Sequence, residues 1–466
     1  MILRWRPILY AMFGLLMLAC ANAADKKKEV QNLPDRPNVV IIMADDLDSA
    51  QLSCYGGQNI KTTHIDALAQ EGMKFNNMIC SEAMCVPTRA SLFTGLYPMS
   101  HGSFQNHKQV YDSLDIKSIT SYLGNLGYKV ALTGKNHSTK PREVFDFEFI
   151  EGFEPNCVSK TDEYSLDKIN DFVSTSQDPF CLFVMSINPH APWTVGDPSE
   201  FDAGSLKLPP HYVDTPETRS DYTKYLAEIR QLDNQVGDVI KMLKETGQYD
   251  NTIVIFMGEQ GPKFPGGKWT LWDHGQKSSM IVKWDKTVKP GSVTDAIVQY
   301  EDIVPTLIDI AGGQPVAHVD GMSFKDVLAG TTKRHRDFAF GIHNNVPEGP
   351  AYPIRSIRNE HYKLVENLSP EKKYHIKYTM NPDEKGKVWA SWVAKGKTSD
   401  NARKLYERIE KRPAMEFYDL EKDPYELNNL AQQPEYKDMV MQFDKRLKQW
   451  MEEENDPGAP SDKKYK

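Results

Sequence analysis

The chain has 466 residues, 40% of them hydrophobic, and a formal net charge of −8 at pH 7. A single hydrophobic core stops growing below this length, so we expect a large domain and a smaller one. The negative charge and the absence of Lys/Arg-rich blocks argue against a nucleic-acid partner, which would require a basic surface.

Residues 1–23 are typical of a secretory signal peptide. Two arginines precede an apolar stretch over residues 8–19, and Ala21-Asn22-Ala23 forms a small-residue cleavage site. The apolar stretch is too short to span a bilayer, so we expect export to the periplasm or the medium without a transmembrane anchor. Cys20 allows a lipoprotein as the alternative. After cleavage at residue 23, residues 24–36 would form a short polar arm.

Apolar runs rich in β-branched residues alternate with amphipathic stretches along most of the chain. The runs have the length of buried parallel strands and cover residues 39–44, 128–132, 180–187 and 252–257. The amphipathic stretches cover residues 63–71, 116–126 and 222–246. This alternation predicts an α/β domain with a large, mostly parallel sheet over residues 37–345.

The chain becomes more polar from about residue 346, with shorter segments and charge-rich connectors. Residues 355–365 and 416–420 are candidate strands, and residues 436–453 predict a terminal helix. We therefore expect a small α+β domain over residues 346–466.

Polar residues follow each of the four predicted strands. In chain order they are Asp45-Asp46, Gly134-Lys135-Asn136-His137, Asn188-Pro189-His190 and Gly258-Glu259-Gln260-Gly261. Open α/β sheets place their sites beyond the carboxyl ends of the strands. We therefore expect the four groups to converge on one cleft.

Two of these groups have the chemistry of a metal site. Carboxylate oxygens from Asp45 and Asp46 suit a hard divalent cation, and Glu259 and Gln260 add a carboxylate and an amide oxygen. The alternative for the aspartates alone is a turn in which they cap backbone amides.

The most specific motif is the run Cys85-Val86-Pro87-Thr88-Arg89-Ala90-Ser91-Leu92-Phe93-Thr94-Gly95. It resembles the signature of the type I sulfatases, in which Cys-x-Pro-x-Arg marks a cysteine that a maturation enzyme oxidises to formylglycine (3-oxoalanine). One alternative is a buried free cysteine. Another is a cysteine-based phosphatase loop, although that pattern places its Arg farther from the Cys than Arg89 lies here.

The resemblance continues along nearly the whole mature chain and implies an alkaline-phosphatase-like fold. It also implies a divalent cation, Ca²⁺ before Mg²⁺, held by Asp45, Asp46, the modified Cys85, Glu259 and Gln260. The family usually carries Asp followed by Asn or His where this chain has Glu259-Gln260. Compared with an Asp-Asn pair, the side chains of Glu259 and Gln260 are each longer by one methylene. They still offer a carboxylate and an amide oxygen, but their backbone must lie farther from the cation.

The resemblance further implies a role for each remaining motif residue. Arg89 would orient the formylglycine oxygens, while Lys135 and Lys268 would bind the sulfate. His190 would protonate the leaving group, and His137 would act as the base that breaks the sulfated intermediate. Taken alone, each lysine would be read as a solvated charge. His137 would be read as a capping residue at a strand end, and His190 as a satisfied loop histidine.

Within the family the chain looks most like heparan N-sulfatase (sulfamidase) and bacterial polysaccharide sulfatases. This likeness lies in residues 264–268, 352–356, 363–368 and 450–457. It implies a sulfated glycan carrying an O-sulfate or an N-sulfoglucosamine unit. Candidate substrate-binding residues flank the motifs: His101, Trp272, Asp273 and His274. Trp272 would stack on a sugar or pack in the core.

Two other functions stay open at this point. One is a phosphoester or phosphonate hydrolase on the same scaffold, and the other is a catalytically silent glycan-binding relative. Five cysteines follow the predicted signal, at positions 54, 80, 85, 157 and 181. Their pairing does not follow from the sequence, and neither does the oligomeric state.

Overall fold

The computed structural model describes residues 36–458 except residues 107, 112–114, 159–160 and 385. The predicted signal peptide, Cys20 and the arm up to residue 35 lie outside the described residues. Within the described part, no helix is both long and apolar enough to cross a membrane. The five cysteines of the described part are all free thiols.

The described strands form two sheets. The eight-stranded sheet contains β1 (Asn38–Met43), β2 (Met73–Ile79), β3 (Lys129–Gly134), β4 (Glu148–Phe149), β5 (Phe180–Met185), β6 (Thr252–Met257), β7 (Lys277–Lys283) and β8 (Ser292–Gln299). The four-stranded sheet contains β9 (Ala339–His343), β10 (Ile354–Arg358), β11 (Tyr362–Asn367) and β12 (Met415–Asp419).

The described helices cover both faces of the large sheet and one face of the small one. They are α1 (Thr63–Glu71), α2 (Cys85–Thr94), α3 (Pro98–His101), α4 (Ile119–Asn125), α5 (Asp167–Thr175), α6 (Pro216–Glu245), α7 (Asp273–Gln276), α8 (Ile303–Ile310), α9 (Lys325–Leu328), α10 (Val388–Gly396), α11 (Asp400–Glu410) and α12 (Lys437–Glu453). Single turns of 3-10 helix cover Ser49–Gln51, Ser53–Tyr55, Pro198–Glu200, Tyr249–Asn251, Tyr300–Asp302 and Pro434–Tyr436.

The large sheet has the strand order β4-β3-β5-β1-β6-β7-β2-β8, and in it β7 alone runs antiparallel to its neighbours. Alternate residues of central strand β1 enter two different cores. Val40 and Ile42 pack into the core that contains α6, while Val39 and Ile41 pack into the core on the opposite face. A strand buried on both faces needs an unbroken apolar sequence, which is why its sequence lacks polar alternation.

The small sheet is antiparallel with the order β12-β11-β10-β9. Helix α12 covers it through apolar contacts: the Trp450 ring stacks on Phe340 with 4.8 Å between centroids, and Phe443 meets Phe417 edge-on at 5.4 Å. The first strand of this sheet, Ala339–His343, lies before the domain boundary predicted between residues 345 and 346. That boundary stays a prediction.

The α/β class and all four strands predicted from the sequence are confirmed. Some helix limits differ. Helix α4 begins at Ile119 rather than at residue 116, and α6 begins at Pro216 rather than at residue 222. The earlier start of α6 follows from its cap, because Thr215 Oγ1 accepts a hydrogen bond from the Thr218 amide at 3.1 Å and Pro216 fits the first helical turn.

Candidate active site

The two aspartates after β1 lie side by side in the interior, both at most 1% exposed. The amide of Asp45 donates to the carbonyl of Asn188 at 3.0 Å, which joins the ends of β1 and β5. Asp46 has a positive φ of 59°, and its carbonyl accepts from the Tyr225 hydroxyl at 3.1 Å. This tight bend directs both carboxylates into the same space beyond the sheet.

Cys85 is the first residue of α2, a buried ten-residue helix. Pro87 is tolerated in the first turn, where helical amides have no intrahelical acceptor, and Gly95 ends the helix in the left-handed conformation. The Cys85 sulfur lies 2.9 Å from Lys268 Nζ and 3.5 Å from Asp45 Oδ1. The signature residue therefore lies where a lysine ammonium and an aspartate carboxylate meet.

Arg89 lies one helical turn beyond Cys85 and is completely buried. Its Nε donates to Glu259 Oε1 at 2.5 Å, whereas its Nη1 and Nη2 atoms have no hydrogen-bond partner among the described residues. A guanidinium with two unsatisfied nitrogens in a dry site is suited to binding further oxygen atoms.

Glu259 and Gln260 follow β6 and face the aspartates. Gln260 Nε2 donates to Asp46 Oδ1 and, at 3.0 Å, to Glu259 Oε2. The Tyr300 hydroxyl donates to the carbonyls of Gly258 and Glu259 and fixes this turn. Gln260 therefore reaches Asp46 directly, while Glu259 contacts Gln260 and Arg89.

Lys135 reaches the same space from the end of β3, where its Nζ pairs with Asp45 Oδ2 and is completely buried. The preceding Gly134 has a φ of +86°, and a Cβ there would lie 2.1 Å from the Met185 carbonyl oxygen. Only glycine fits this close approach to β5. Lys268 pairs with the other aspartate and donates to Asp46 Oδ1 at 2.6 Å.

The two predicted histidines are partly exposed. His190 Nε2 lies 3.6 Å from Asp46 Oδ2, and its side chain is 14% exposed. His137 lines a cavity of about 330 Å³ that also contacts Val86, the neighbour of Cys85. The structure therefore brings His190 to the buried cluster, while the roles of both rings stay predictions.

Burial and the neighbouring charges both shift the pKa values of the ionisable groups in the cluster. Burial raises the pKa of the Cys85 thiol well above its ordinary value, and Glu259 adds to this effect. Burial also raises the pKa of Glu259 to about 7, although Arg89 acts against it. For Asp45 burial likewise acts upward, but the positive charges of Lys135 and His190 bring its pKa well below the usual range.

The predicted substrate-binding residues do not contact the Cys85 sulfur. His101 is buried beneath α2, where Ser91 Oγ lies 3.2 Å from its Nε2, and burial lowers its pKa to about 3. Trp272 is 4% exposed, its Nε1 donates to Glu416 at 2.8 Å, and the Arg412 guanidinium lies 4.0 Å from its ring centroid. Trp272 thus packs in the core, which is one of the two roles that the sequence left open, and its part in substrate binding stays a prediction.

Asp273 and His274 line a separate polar cavity of about 700 Å³. Asp273 is paired with Arg358 at 2.6 Å and with Lys363 at 2.8 Å. His274 Nε2 lies 2.8 Å from the Tyr212 hydroxyl. Their place in substrate binding stays a prediction.

The sequence interpretation missed Tyr300, which holds the Glu259 turn from the far end of β8. Strand β8 (Ser292–Gln299) carries the short apolar run Ala296-Ile297-Val298, and the residue that follows the strand is Tyr300. Recognising that run as the end of a strand would have placed Tyr300 at a strand end, like the other site residues.

Comparison with known proteins identifies relatives over the whole described chain. A family model described as Sulfatase matches residues 37–313, and one described as N-sulphoglucosamine sulphohydrolase, C-terminal, matches residues 266–411. An ulvan-active sulfatase from Formosa agariphila is 31% identical over 96% of this chain and 88% of its own length. The N-sulphoglucosamine sulphohydrolase of Homo sapiens is 26% identical over 90% of this chain and 91% of its own length.

A solved structure shares the fold. It was determined in complex with its substrate D-glucosamine-2-N,6-O-disulfate, and it matches with a TM-score of 0.69 and 20% identity over 91% of this chain and 99% of its own. The alkaline-phosphatase-like architecture expected from the sequence is confirmed by this likeness.

Proposed function

Since this chain belongs to the sulfatase family, we propose that it removes sulfate from a sulfated glycan with a formylglycine formed from Cys85 and a bound divalent cation. The observation that carries the proposal is the convergence of Lys268 Nζ and Asp45 Oδ1 on the Cys85 sulfur, at 2.9 and 3.5 Å. Cationic side chains favour an anionic ester at this position, and carboxylates favour a metal ion beside it.

The donor chemistry fits the cation. Donor atoms of Asp45, Asp46, Cys85 and His190 lie within 4.8 Å of one another. Asp46 Oδ2 and Gln260 Oε1 are buried oxygens without a hydrogen-bond partner among the described residues. A buried oxygen left in that state costs about 1–3 kcal/mol, which a coordinated ion would remove.

We expect Ca²⁺, with Mg²⁺ as the alternative, held by Asp45, Asp46, Glu259, Gln260 and the oxygen of the modified Cys85. When bound, the ion and the hydrated aldehyde supply Lewis acidity and two hydroxyls on one carbon, one that attacks sulfur and one that later expels the sulfate. The protein's own side chains have to bind, orient and move protons around them.

Arg89 and the two lysines would bind different negatively charged oxygens in the site. The unsatisfied Nη1 and Nη2 of Arg89 would hold the formylglycine oxygens in a fixed orientation. Lys135 and Lys268, each already within reach of an aspartate, would bind the sulfate oxygens and stabilise the charge that develops on them. The N-terminus of α2 adds a partial positive charge on the same side.

The histidines would move the protons. His190, partly exposed next to Asp46, would donate a proton to the leaving oxygen, or to the nitrogen of a sulfamate. His137, which lines a cavity with Val86, the neighbour of Cys85, would take the proton of the second hydroxyl.

The glycan assignment is supported by the relatives, one ulvan-active and one acting on N-sulphoglucosamine by their names. Both an O-sulfate and an N-sulfate remain within the proposal. The signal-like residues 1–23 support export to the periplasm or the medium. Activity in the host then also needs a formylglycine-generating maturation enzyme as partner.

The test is sulfate release by protein expressed together with that maturation enzyme. A panel of defined O-sulfated and N-sulfated saccharides is incubated with the wild type and with Cys85→Ala, and free sulfate is measured by ion chromatography. We expect release from at least one glycan and none by the variant. Faster turnover of phosphate or phosphonate esters than of any sulfate, or tight binding without turnover, would overturn the proposal.

A further inference from the structure

A series of cations and aromatic rings leads from the candidate sulfate site to the surface. Lys268 Nζ lies 5.3 Å from the ring centroid of Trp269, and Trp269 stacks on Tyr378 with 5.8 Å between centroids. Two further lysines face Tyr378, Lys377 at 4.8 Å and Lys263 at 5.6 Å from its centroid. The series thus connects a buried cation with two cations at the rim.

The backbone is held tightly where this series starts. Trp269 has a φ of +70°, a conformation that bulky residues rarely adopt, and its amide donates to the Ala83 carbonyl at 3.0 Å. The Tyr374 hydroxyl donates to the Trp269 carbonyl at 2.6 Å. Such fixed outliers concentrate at ligand sites, because strain is kept only where a defined geometry is needed.

The outer end of the series is open. The Tyr378 side chain is 54% exposed. It lines a cavity of about 410 Å³ together with Lys263 and Ala191, the residue after His190. A ligand seated at the sulfate site would therefore extend along this cavity and over the Tyr378 ring.

The lysines of the cavity differ in whether a carboxylate already neutralises them. Lys224 Nζ lies 2.9 Å from Asp221, and Lys387 Nζ lies 3.8 Å from Glu384. Among the described residues, Lys263 has no ion pair or hydrogen bond. Burial lowers the Lys263 pKa, and the nearness of Lys268 adds to this effect. An unneutralised ammonium beside another cation is the arrangement expected where an anion binds.

We propose that Lys263, Lys377 and Tyr378 form a second subsite, which binds an anionic group on the sugar next to the one that loses its sulfate. The sugar face lies on the Tyr378 ring, and the anion, a uronate carboxylate or another sulfate, pairs with the two lysines. This inference rests on the proposed function and narrows its substrate class to glycans with neighbouring negative charges.

The test compares Lys263→Gln with a matched control, Lys224→Gln, whose lysine lies in the same cavity but is already paired. The substrates are a sulfated, uronate-containing glycosaminoglycan tetrasaccharide and 4-nitrophenyl sulfate, which carries no second anion. For the tetrasaccharide we expect Lys263→Gln to raise KM about tenfold with kcat unchanged, since one charge-assisted hydrogen bond is lost. For 4-nitrophenyl sulfate we expect no change, and Lys224→Gln should match the wild type on both.

Two modified tetrasaccharides identify the anion. If carboxyl-reduced substrate removes the difference between Lys263→Gln and wild type, the anion is the uronate; if substrate lacking its second sulfate removes it, the anion is that sulfate. An unchanged KM for the tetrasaccharide, or an equal loss with 4-nitrophenyl sulfate, would overturn the subsite. If the wild type hydrolyses no sulfate, the subsite is tested by calorimetric Kd values of the tetrasaccharide for wild type and Lys263→Gln. A higher Kd for the variant supports the subsite, and equal Kd values refute it.

Discussion

Replacing Glu259 by aspartate, whose side chain is one methylene shorter, should weaken this site rather than improve it. Glu259 Oε1 accepts from Arg89 Nε at 2.5 Å, and both side chains are completely buried. Removing one methylene withdraws the carboxylate by about 1.5 Å, one C–C bond length, and so lengthens this contact to about 4 Å. The charge-assisted hydrogen bond is then lost, unless the backbone of the turn moves.

The energy of the lost hydrogen bond sets the expected fall in kcat/KM and in stability. A hydrogen bond to a charged group contributes about 1.5–3 kcal/mol, so Glu259→Asp should lower kcat/KM for sulfate release by roughly 10- to 100-fold. The free energy of unfolding, measured by urea denaturation, should fall by a similar energy. Tyr300 holds the turn through its backbone carbonyls, which resists the compensating backbone shift.

The matched control is Glu416→Asp, which shortens a buried glutamate of the small sheet that accepts from Trp272 at 2.8 Å. We expect it to lower stability while the kcat/KM of the folded enzyme stays unchanged. Wild-type or higher kcat/KM for Glu259→Asp would refute the reasoning that the longer side chain fits a backbone lying farther back.

Three further perturbations separate the site from the scaffold. Lys268→Ala should lower kcat about 10²- to 10³-fold in the sulfate-release assay, since it removes one charge on the developing oxyanion; a change below threefold would contradict its role. Exhaustive chelation should abolish release and added Ca²⁺ restore it, whereas full activity in metal-free protein would exclude the cation. Asp456→Asn breaks a buried pair with Arg355 Nη2 at 2.8 Å, so urea unfolding should show a loss of about 3–5 kcal/mol with kcat unchanged; equal stability would contradict the burial argument.

Much of the site's geometry follows from local sequence because parallel strands end at one edge. The predicted strands end near Asp46, Lys135, His190 and Glu259, and the structure brings these side chains together. Each strand was recognisable because burial on both faces requires an unbroken apolar run. No long-range information is needed to infer that such strand ends meet.

The strands that escaped prediction lack that signal. Strand β2 carries Asn76 and Asn77 in its middle, where the register shifts between Phe75 and Met78. Its polar interior belongs to a bulge, which a pattern of apolar residues does not reveal. Strand β8 is an edge strand whose apolar run is only Ala296-Ile297-Val298, because Thr294 and Asp295 interrupt the strand before it.

The substrate-binding residues were predicted because they lie near the motifs in sequence, which is a weaker guide to their position than a strand end. Trp272 follows the Lys268 turn closely, yet its ring turns toward Glu416 and Arg412 of the C-terminal part. Tyr378 lies more than a hundred residues from Lys268 in sequence but is connected to it through Trp269. Contacts between distant segments decide which side chains reach the cleft, and no local pattern encodes them.

Peptide mass analysis of residue 85 shows whether the nucleophile is a formylglycine. Enzyme expressed with the maturation enzyme and shown to release sulfate is digested, and the mass of the peptide that contains Cys85 to Arg89 is measured. We expect the formylglycine aldehyde or its hydrate to replace the cysteine, in a proportion that follows specific activity across preparations. Sulfate release by protein whose Cys85 is entirely unmodified would contradict this expectation.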